Sequence, residues 1–303
     1  METLHRKIYS ESRWTTIAKL QYSKERPEYQ TRYCKKIVSG NVIEFLEMSS
    51  CPSAPAIQKI SADQYINLAS GEVCDFQKSD SRADNTDSLR KSFKQLRDIV
   101  NCNTTDNSCI HWVTLTYAEN MTDTKQLYSD FDRFWKRFRR YCIKQGWNIP
   151  QYITAIEPQR RGAWHMHCLI IWDMKRPYID NNGVFAPMWG HGFTKIQGVP
   201  DDCDNLGAYL SAYLSDMALT EDGNGQEKKY VKGARLCLYP VGVNIFRHSR
   251  GIKQPTSELL DIDSVENEKA SAGTLTFSGS YTITDDEGNK RYISKSYYNI
   301  KRK

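Results

Sequence analysis

The sequence predicts an α+β protein centred on an antiparallel sheet, with helices packed on one face. Three observations predict it. The run Trp164 to Trp172 is apolar and strand-like, so His165 and His167 leave one side while Met166, Cys168 and Ile170 point to the other. A second strand-like segment, Tyr152 to Glu157, precedes it across the turn Pro158-Gln159-Arg160-Arg161-Gly162, which makes the two a hairpin. Upstream, two apolar sets recur at helical spacing: Leu89, Phe93, Leu96 and Val100, then Leu127, Phe131, Phe134, Phe138 and Tyr141.

The remaining elements follow in chain order. Residues 1–84 form an N-terminal accessory region, with a strand-like piece from Ile37 to Phe45 and a turn at Ser49 to Ser53. Ser79 to Thr86 is polar and reads as a linker. Asp87 can cap a helix from Ser88 to Val100, with Arg90, Lys91, Lys94 and Arg97 outward. His111 to Tyr117 is β-branched and aromatic, hence a strand. Thr122 or Asp123 caps the helix that runs to Gln145, whose Arg133, Lys136, Arg137, Arg139, Arg140 and Lys144 lie off its apolar stripe. Gly192 to Val199 is a short strand, and Asp204 or Asn205 caps a helix reaching Met217. Lys232 to Phe246 suggests a strand pair interrupted by Pro240 and Gly242. The tail, 256–303, holds a β-hairpin of Gly279 to Thr284 and Arg291 to Ser296. Residues 85–255 are thus the expected catalytic domain.

Composition narrows the function classes. With 39% hydrophobic residues the chain is globular, and no apolar run approaches the ~18 residues of a membrane span. Residues 1–7 lack a signal-peptide apolar region. Nine cysteines, none in a CxxC pair, support neither a zinc ribbon nor a disulfide framework, and the expected compartment is the reducing cytoplasm. From Ser88 to Pro255 there are 23 Lys/Arg against 16 Asp/Glu, whereas the tail has 7 against 8. The basic surplus of the centre suits a polyanion, although ordinary surfaces also carry such a surplus. No G-x-x-x-x-G-K-[ST] loop occurs, which excludes an ATPase or helicase of that class.

A register that sets Glu157 opposite His165 places the carboxylate on the histidine face, with Cβ atoms about 5 Å apart. Two imidazoles and a carboxylate suit a divalent metal; the plainer reading is a structural histidine pair beside an exposed Glu. Tyr209 and Tyr213 stand at i and i+4 of the last helix, on one face. Either they pack as its apolar stripe, or Leu206, Leu210 and Leu214 do so and free them for a site. Thr114 and Thr116 share a strand face and can line a groove or simply satisfy the sheet. Arg160, Arg161, Arg247 and Arg250 are candidate phosphate contacts, with solvated turns as the alternative. His191 can be a further ligand or a structural histidine. Trp112, Trp164 and Trp172 can stack on bases or fill the core.

The order Thr114-Leu115-Thr116, Glu157, His165-Met166-His167, then Tyr209 and Tyr213 resembles the HUH endonuclease superfamily. The likeness is to the two-tyrosine rolling-circle replication initiators of bacterial plasmids and of filamentous or microvirus-like phages, and it covers about Ser88 to Pro255. It implies an HUH, palm-like sheet in which His165, His167 and Glu157 hold Mg²⁺ or Mn²⁺. It implies that Tyr209 and Tyr213 are nucleophiles, that Thr114, Thr116, Arg160, Arg161, Arg247 and Arg250 contact DNA, and that the product is a 5′-phosphotyrosyl link with a free 3′-OH primer. The implied partners are single-stranded origin DNA and a host helicase and polymerase, in a bacterial cytoplasm and away from membranes. One departure stands: family members often carry Lys three residues after a tyrosine, where this chain has Ala212 and Asp216. Lys228, Lys229 or Lys232 can substitute. The rival readings are a relaxase or transposase of the same superfamily and a non-catalytic single-stranded nucleic-acid-binding protein.

Overall fold

Strand pairing joins the two ends of the chain. The computed structural model describes residues 3–10, 13–51, 57–76, 86–159, 161–215, 217–219, 229–231, 235, 238–240, 242–284 and 288–302. The chain divides into two compact units, one of residues 1–78 with 256–303 and one of residues 79–255.

The first unit holds strands β1 (Thr3–Ser10), β2 (Arg13–Ser23), β3 (Tyr33–Ser39) and β4 (Val42–Met48). A small separate sheet follows, of β5 (Ile57–Lys59), β6 (Gln64–Asn67) and β7 (Val73–Asp75). From the far end of the chain come β15 (Thr256–Leu260), helix α5 (Val265–Ala270), β16 (Thr274–Thr284) and β17 (Lys290–Asn299). The sheet order is β1-β2-β16-β17-β4-β3-β15, so the anticipated tail hairpin, longer than its sequence signal, inserts between β2 and β4. Cys34 and Phe45 pack with Val265 and Ala272 on one face. There the Lys269 ammonium donates to the buried Glu47 carboxylate at 2.6 Å.

The second unit is mixed α+β around an antiparallel five-stranded sheet. Its strands are β8 (Ile110–Leu115), β9 (Gln151–Pro158), β10 (Trp164–Ile171), β11 (Thr194–Gly198) and β14 (Phe246–His248), in the order β11-β8-β10-β9-β14. The histidine strand β10 is therefore central. Its apolar side, Met166, Cys168 and Ile170, is wholly buried in one core with Phe131, Phe134 and Phe138 of α2 (Thr124–Lys144). The one-turn helix α3 (Ala186–Trp189) adds Trp189 to the same core. Asp123 caps α2, accepting from the N–H groups of Lys125 and Gln126. The basic residues of α2 are exposed on the side of the sheet away from His165 and His167.

Helices cover both faces, not one. On the histidine side lies α4 (Leu206–Ser215), with α1 (Thr86–Asn103) packed behind it. Helix α4 stops two residues short of the expected Met217, which instead begins a two-stranded ladder of β12 (Met217–Leu219) and β13 (Lys229–Val231). The strand pair anticipated over 232–246 is not found in its described part: residues 238–240 and 242–245 hold no strand, and β14 starts at Phe246. Pro240 lacks the N–H a ladder needs, and Gly242 turns the chain at φ 77°. No described helix is long and apolar enough to cross a membrane.

His111 anchors the far side of this sheet in neutral form. It is 6% exposed, and its Nδ1 accepts the Trp172 indole N–H at 3.0 Å. Burial, helped by the Arg176 charge, pushes its pKa down to about 4. The unfolded chain therefore binds more protons than the fold between about pH 6.5 and pH 4, and stability falls as pH drops through that window. Protonating this one site fully costs about 3 kcal/mol. We expect His111→Gln to flatten the loss of melting temperature of this unit between pH 6.5 and pH 4, as followed by circular dichroism. An unchanged slope contradicts the assignment.

Candidate active site

Cross-strand register assembles the site. In the β9–β10 pairing His165 faces Glu157 and His167 faces Ala155, the register anticipated above. Gly162 at φ 84° closes the hairpin that sets it. Pairing continues outward, so Lys195, Thr114, His167, Ala155 and Phe246 form one row across the sheet. Partners directly opposite share a face, which puts Lys195, Thr114, Trp112, His165, His167 and Glu157 on one side.

His167 is 2% exposed and fixed on both ring nitrogens. The Trp112 indole N–H donates to Nδ1 at 3.3 Å, with the Thr114 hydroxyl at 3.4 Å. A neutral ring accepting at Nδ1 carries its proton on Nε2, which then donates to Glu157 Oε2 at 2.8 Å. Burial presses the His167 pKa down to about 4. His165 is half-buried and also lowered to about 4, by burial first and then by the nearby His167 and Arg161 charges. Both imidazoles are thus neutral at pH 7, the state that binds metals.

Glu157 is also 2% exposed. Its second oxygen, Oε1, meets the Arg235 guanidinium. The Arg235 backbone N–H in turn donates to Ser215 O at 2.9 Å, at the end of α4. One residue therefore links the buried carboxylate to the tyrosine helix. Sequence reasoning missed Arg235, since it lies in a segment without periodicity or motif.

Helix α4 uses its leucines for packing. Leu206, Leu210 and Leu214 are 1–3% exposed, whereas Tyr209 and Tyr213 are 60% and 47% exposed. The two tyrosines lean over the histidine face. The Tyr213 ring stands edge-on to His167 at 5.0 Å between centroids, and Tyr209 meets Trp112 at 5.5 Å. Buried amides hold the helix there. Asn205 caps it by accepting from the Ala208 N–H at 3.0 Å. Asn101 of α1 donates to Asn205 at 3.0 Å and accepts from the Gly207 N–H at 2.9 Å. At the other end, buried Tyr239 donates its hydroxyl to Ile156 O at 2.9 Å and lies 3.3 Å from Leu214 O.

Other candidates stand elsewhere. Thr116 donates to Phe193 O at 2.9 Å. Arg161 is exposed at the hairpin turn, close enough to act on His165. Arg247 pairs with Thr154, which sets it on the opposite face, where it covers the Tyr128 ring at 3.7 Å. Arg250 is an exposed turn residue. His191 faces Asp130 of α2 at 3.5 Å, again on the far side. Trp164 and Trp172 are core residues, and only Trp112 of the three borders the tyrosines. Arg160, Lys228 and Lys232 lie outside the described residues, as does the Lys229 side chain.

The donors on this face approach a metal-binding set without completing one. Among the described residues no three His, Cys, Asp or Glu side chains form a ready cluster. Two donors are already adjacent: the 2.8 Å between His167 Nε2 and Glu157 Oε2 is near the roughly 3 Å edge between neighbouring ligands of an octahedral ion with 2.1 Å bonds. His165 follows on the same face, and the mixed N/O chemistry fits Mg²⁺ or Mn²⁺.

Residues 110–218 match a family of replication-associated proteins, the one described by the name ORF2. This stretch runs from β8 through the histidine strand and the tyrosine helix, so that part of the chain is similar to replication-associated proteins. No curated protein and no solved structure matches the chain.

Gly207 tests the docking of the tyrosine helix. A Cβ there would run into the Arg97 carbonyl and come 2.7 Å from Asn101 Oδ1. Neither neighbour is a loose side-chain end, so Gly207→Ala should cost about 1–3 kcal/mol in urea unfolding. A change within about 0.5 kcal/mol, the usual range for an uninvolved surface position, would show that α1 does not fix α4.

Proposed function

We propose that residues 79–255 form an HUH-type, two-tyrosine DNA endonuclease and strand transferase that initiates rolling-circle replication. The observation that carries this reading is the placement of Tyr213 against His167, on the face that also holds His165 and Glu157. An exposed phenol beside two neutral imidazoles and a carboxylate is a nucleophile next to an electrophile-binding wall.

The side chains have separable roles. The Tyr213 oxygen attacks the scissile phosphorus of single-stranded origin DNA; the bond to the 3′-oxygen breaks, leaving a 5′-phosphotyrosyl link and a 3′-OH primer. Tyr209, one turn back on the same helix, serves the second transfer that rejoins the strand. Bound Mg²⁺ or Mn²⁺, held by His165, His167 and Glu157, supplies Lewis-acid polarisation of the phosphate. Arg235 and Lys195 bring positive charge to the same face without a lysine on the tyrosine helix. Thr114 orients His167, and Arg161 marks the hairpin edge where DNA phosphates approach. Host helicase and polymerase, in a bacterial cytoplasm, complete the proposed setting.

The test uses an origin oligonucleotide with Mn²⁺ and denaturing gels. Label on the 3′ side of the nick should travel with the protein, while label on the 5′ side is released with a free 3′-OH. Tyr213→Phe should suppress the first nick more than Tyr209→Phe, and the double variant should form no adduct. An adduct that persists in the double variant would falsify the assignment. Metal-independent binding without cleavage would favour the non-catalytic reading.

A further inference from the structure

The sheet formed by the two chain ends has a face that the proposed cleavage chemistry does not use. Phe45, Cys34 and Glu47 look toward α5. Alternation and register turn the other set outward: Tyr22 of β2, Phe277 and Tyr281 of β16, Lys295 and Tyr297 of β17. Gly279, Lys295, Leu46 and Lys35 lie in one row across four strands. Arg291 shares this face by the same alternation.

These side chains form a shallow trough. The Tyr22 and Tyr281 rings are 5.3 Å apart, and those of Phe277 and Tyr297 are 5.8 Å apart. The Lys295 ammonium sits 5.9 Å from the Tyr281 centroid. Gly279, between the aromatic positions of β16, is the floor. A Cβ there would come 2.9 Å from Tyr22 Cε2 and 3.1 Å from Phe277 Cζ, so both rings lie down over the glycine. A strand-interior glycine gives up packing and strand stability, and it often marks close approach of another molecule. Phe277 is 43% exposed, and Tyr22, Tyr281, Tyr297 and Lys295 are half-buried. Glu44, the carboxylate of this face, is buried and accepts from the Tyr297 hydroxyl at 3.1 Å. The accessible charge of the trough is therefore positive.

Aromatic faces interleaved with ammonium groups match unpaired bases on a phosphate backbone. Every base offers a π-face for stacking, and each phosphate meets a cation. A duplex keeps its base faces inside the stack. We propose that this face is a single-stranded DNA-binding surface, separate from the tyrosine–histidine site and independent of its chemistry.

The experiment uses the full chain carrying Tyr209→Phe/Tyr213→Phe, with EDTA, so that no cleavage intervenes. The probe is a fluorescent 20-nucleotide oligothymidylate read by anisotropy, with 5-iododeoxyuridine in a second probe for photo-crosslinking. Phe277→Leu/Tyr281→Leu should weaken binding roughly tenfold, the scale of one lost stacked base. Tyr281→Phe, which keeps the ring, should bind as the parent does. Lys35→Gln and Lys295→Gln should each lower the slope of log Kd against log salt by about 0.7. Crosslinks should fall on peptides containing Tyr22, Phe277 or Tyr281. The proposal is overturned if the leucine variants bind normally or if Tyr281→Phe is as damaging as Tyr281→Leu. Crosslinks confined to residues 79–255, or tighter binding of duplex or single-stranded RNA, also overturn it. So does a change of oligomeric state in the leucine variants with unaltered DNA binding, which would assign the face to a second copy of the chain.

Discussion

Glu157 is a carboxylate taken almost wholly out of water, and the site is organised around that charge. An isolated buried carboxylate costs several kcal/mol, so it persists only with hydrogen bonds and a counter-charge around it. His167 supplies the hydrogen bond and Arg235 the charge. His167 in turn keeps its orientation because Trp112 and Thr114 occupy its other nitrogen. Arg235 reaches back to Ser215, so the counter-ion is also attached to the helix that carries the tyrosines. A divalent cation arriving at Glu157 would meet a carboxylate that already has a cation on one oxygen and a polar edge on the other.

The sheet separates anchoring from chemistry by simple parity. Met166, Cys168 and Ile170 are locked against the phenylalanines of α2, which makes β10 rigid. The residues between them face the other way and keep polar side chains at fixed spacing. Helix α4 repeats the division: leucines inward, tyrosines outward. Asn101, Asn205 and Gly207 fix its start by hydrogen bonds that a helix end otherwise leaves unmade. Two rigid supports therefore meet at Tyr213 and His167, as a preorganised phosphoryl-transfer site requires.

Local rules made much of this visible in the sequence. Period-two alternation around His165-Met166-His167 gave the face, the short turn to Gly162 gave the register to Glu157, and the leucine spacing of Leu206 to Leu214 left the tyrosines outward. What escaped depends on long-range pairing or on segments without a period. The insertion of β16 and β17 between β2 and β4 joins residues more than 200 positions apart, and no local pattern encodes it. Arg235 has no motif around it. Arg247 falls on the far face because it pairs with Thr154, a parity fixed only when β14 docks on β9. The helices on both faces follow from the same limit: each shows its apolar stripe, not the side of the sheet on which it lands.

The most direct test of the account is the nitrogen coupling of Mn²⁺ bound to the protein, measured by pulsed electron paramagnetic resonance. If the buried Glu157–His167 edge with His165 is a metal site, bound Mn²⁺ shows imidazole ¹⁴N couplings, and these weaken in His165→Gln while the fold is retained. Mn²⁺ bound without any nitrogen coupling, or no bound Mn²⁺ in a folded protein, contradicts it.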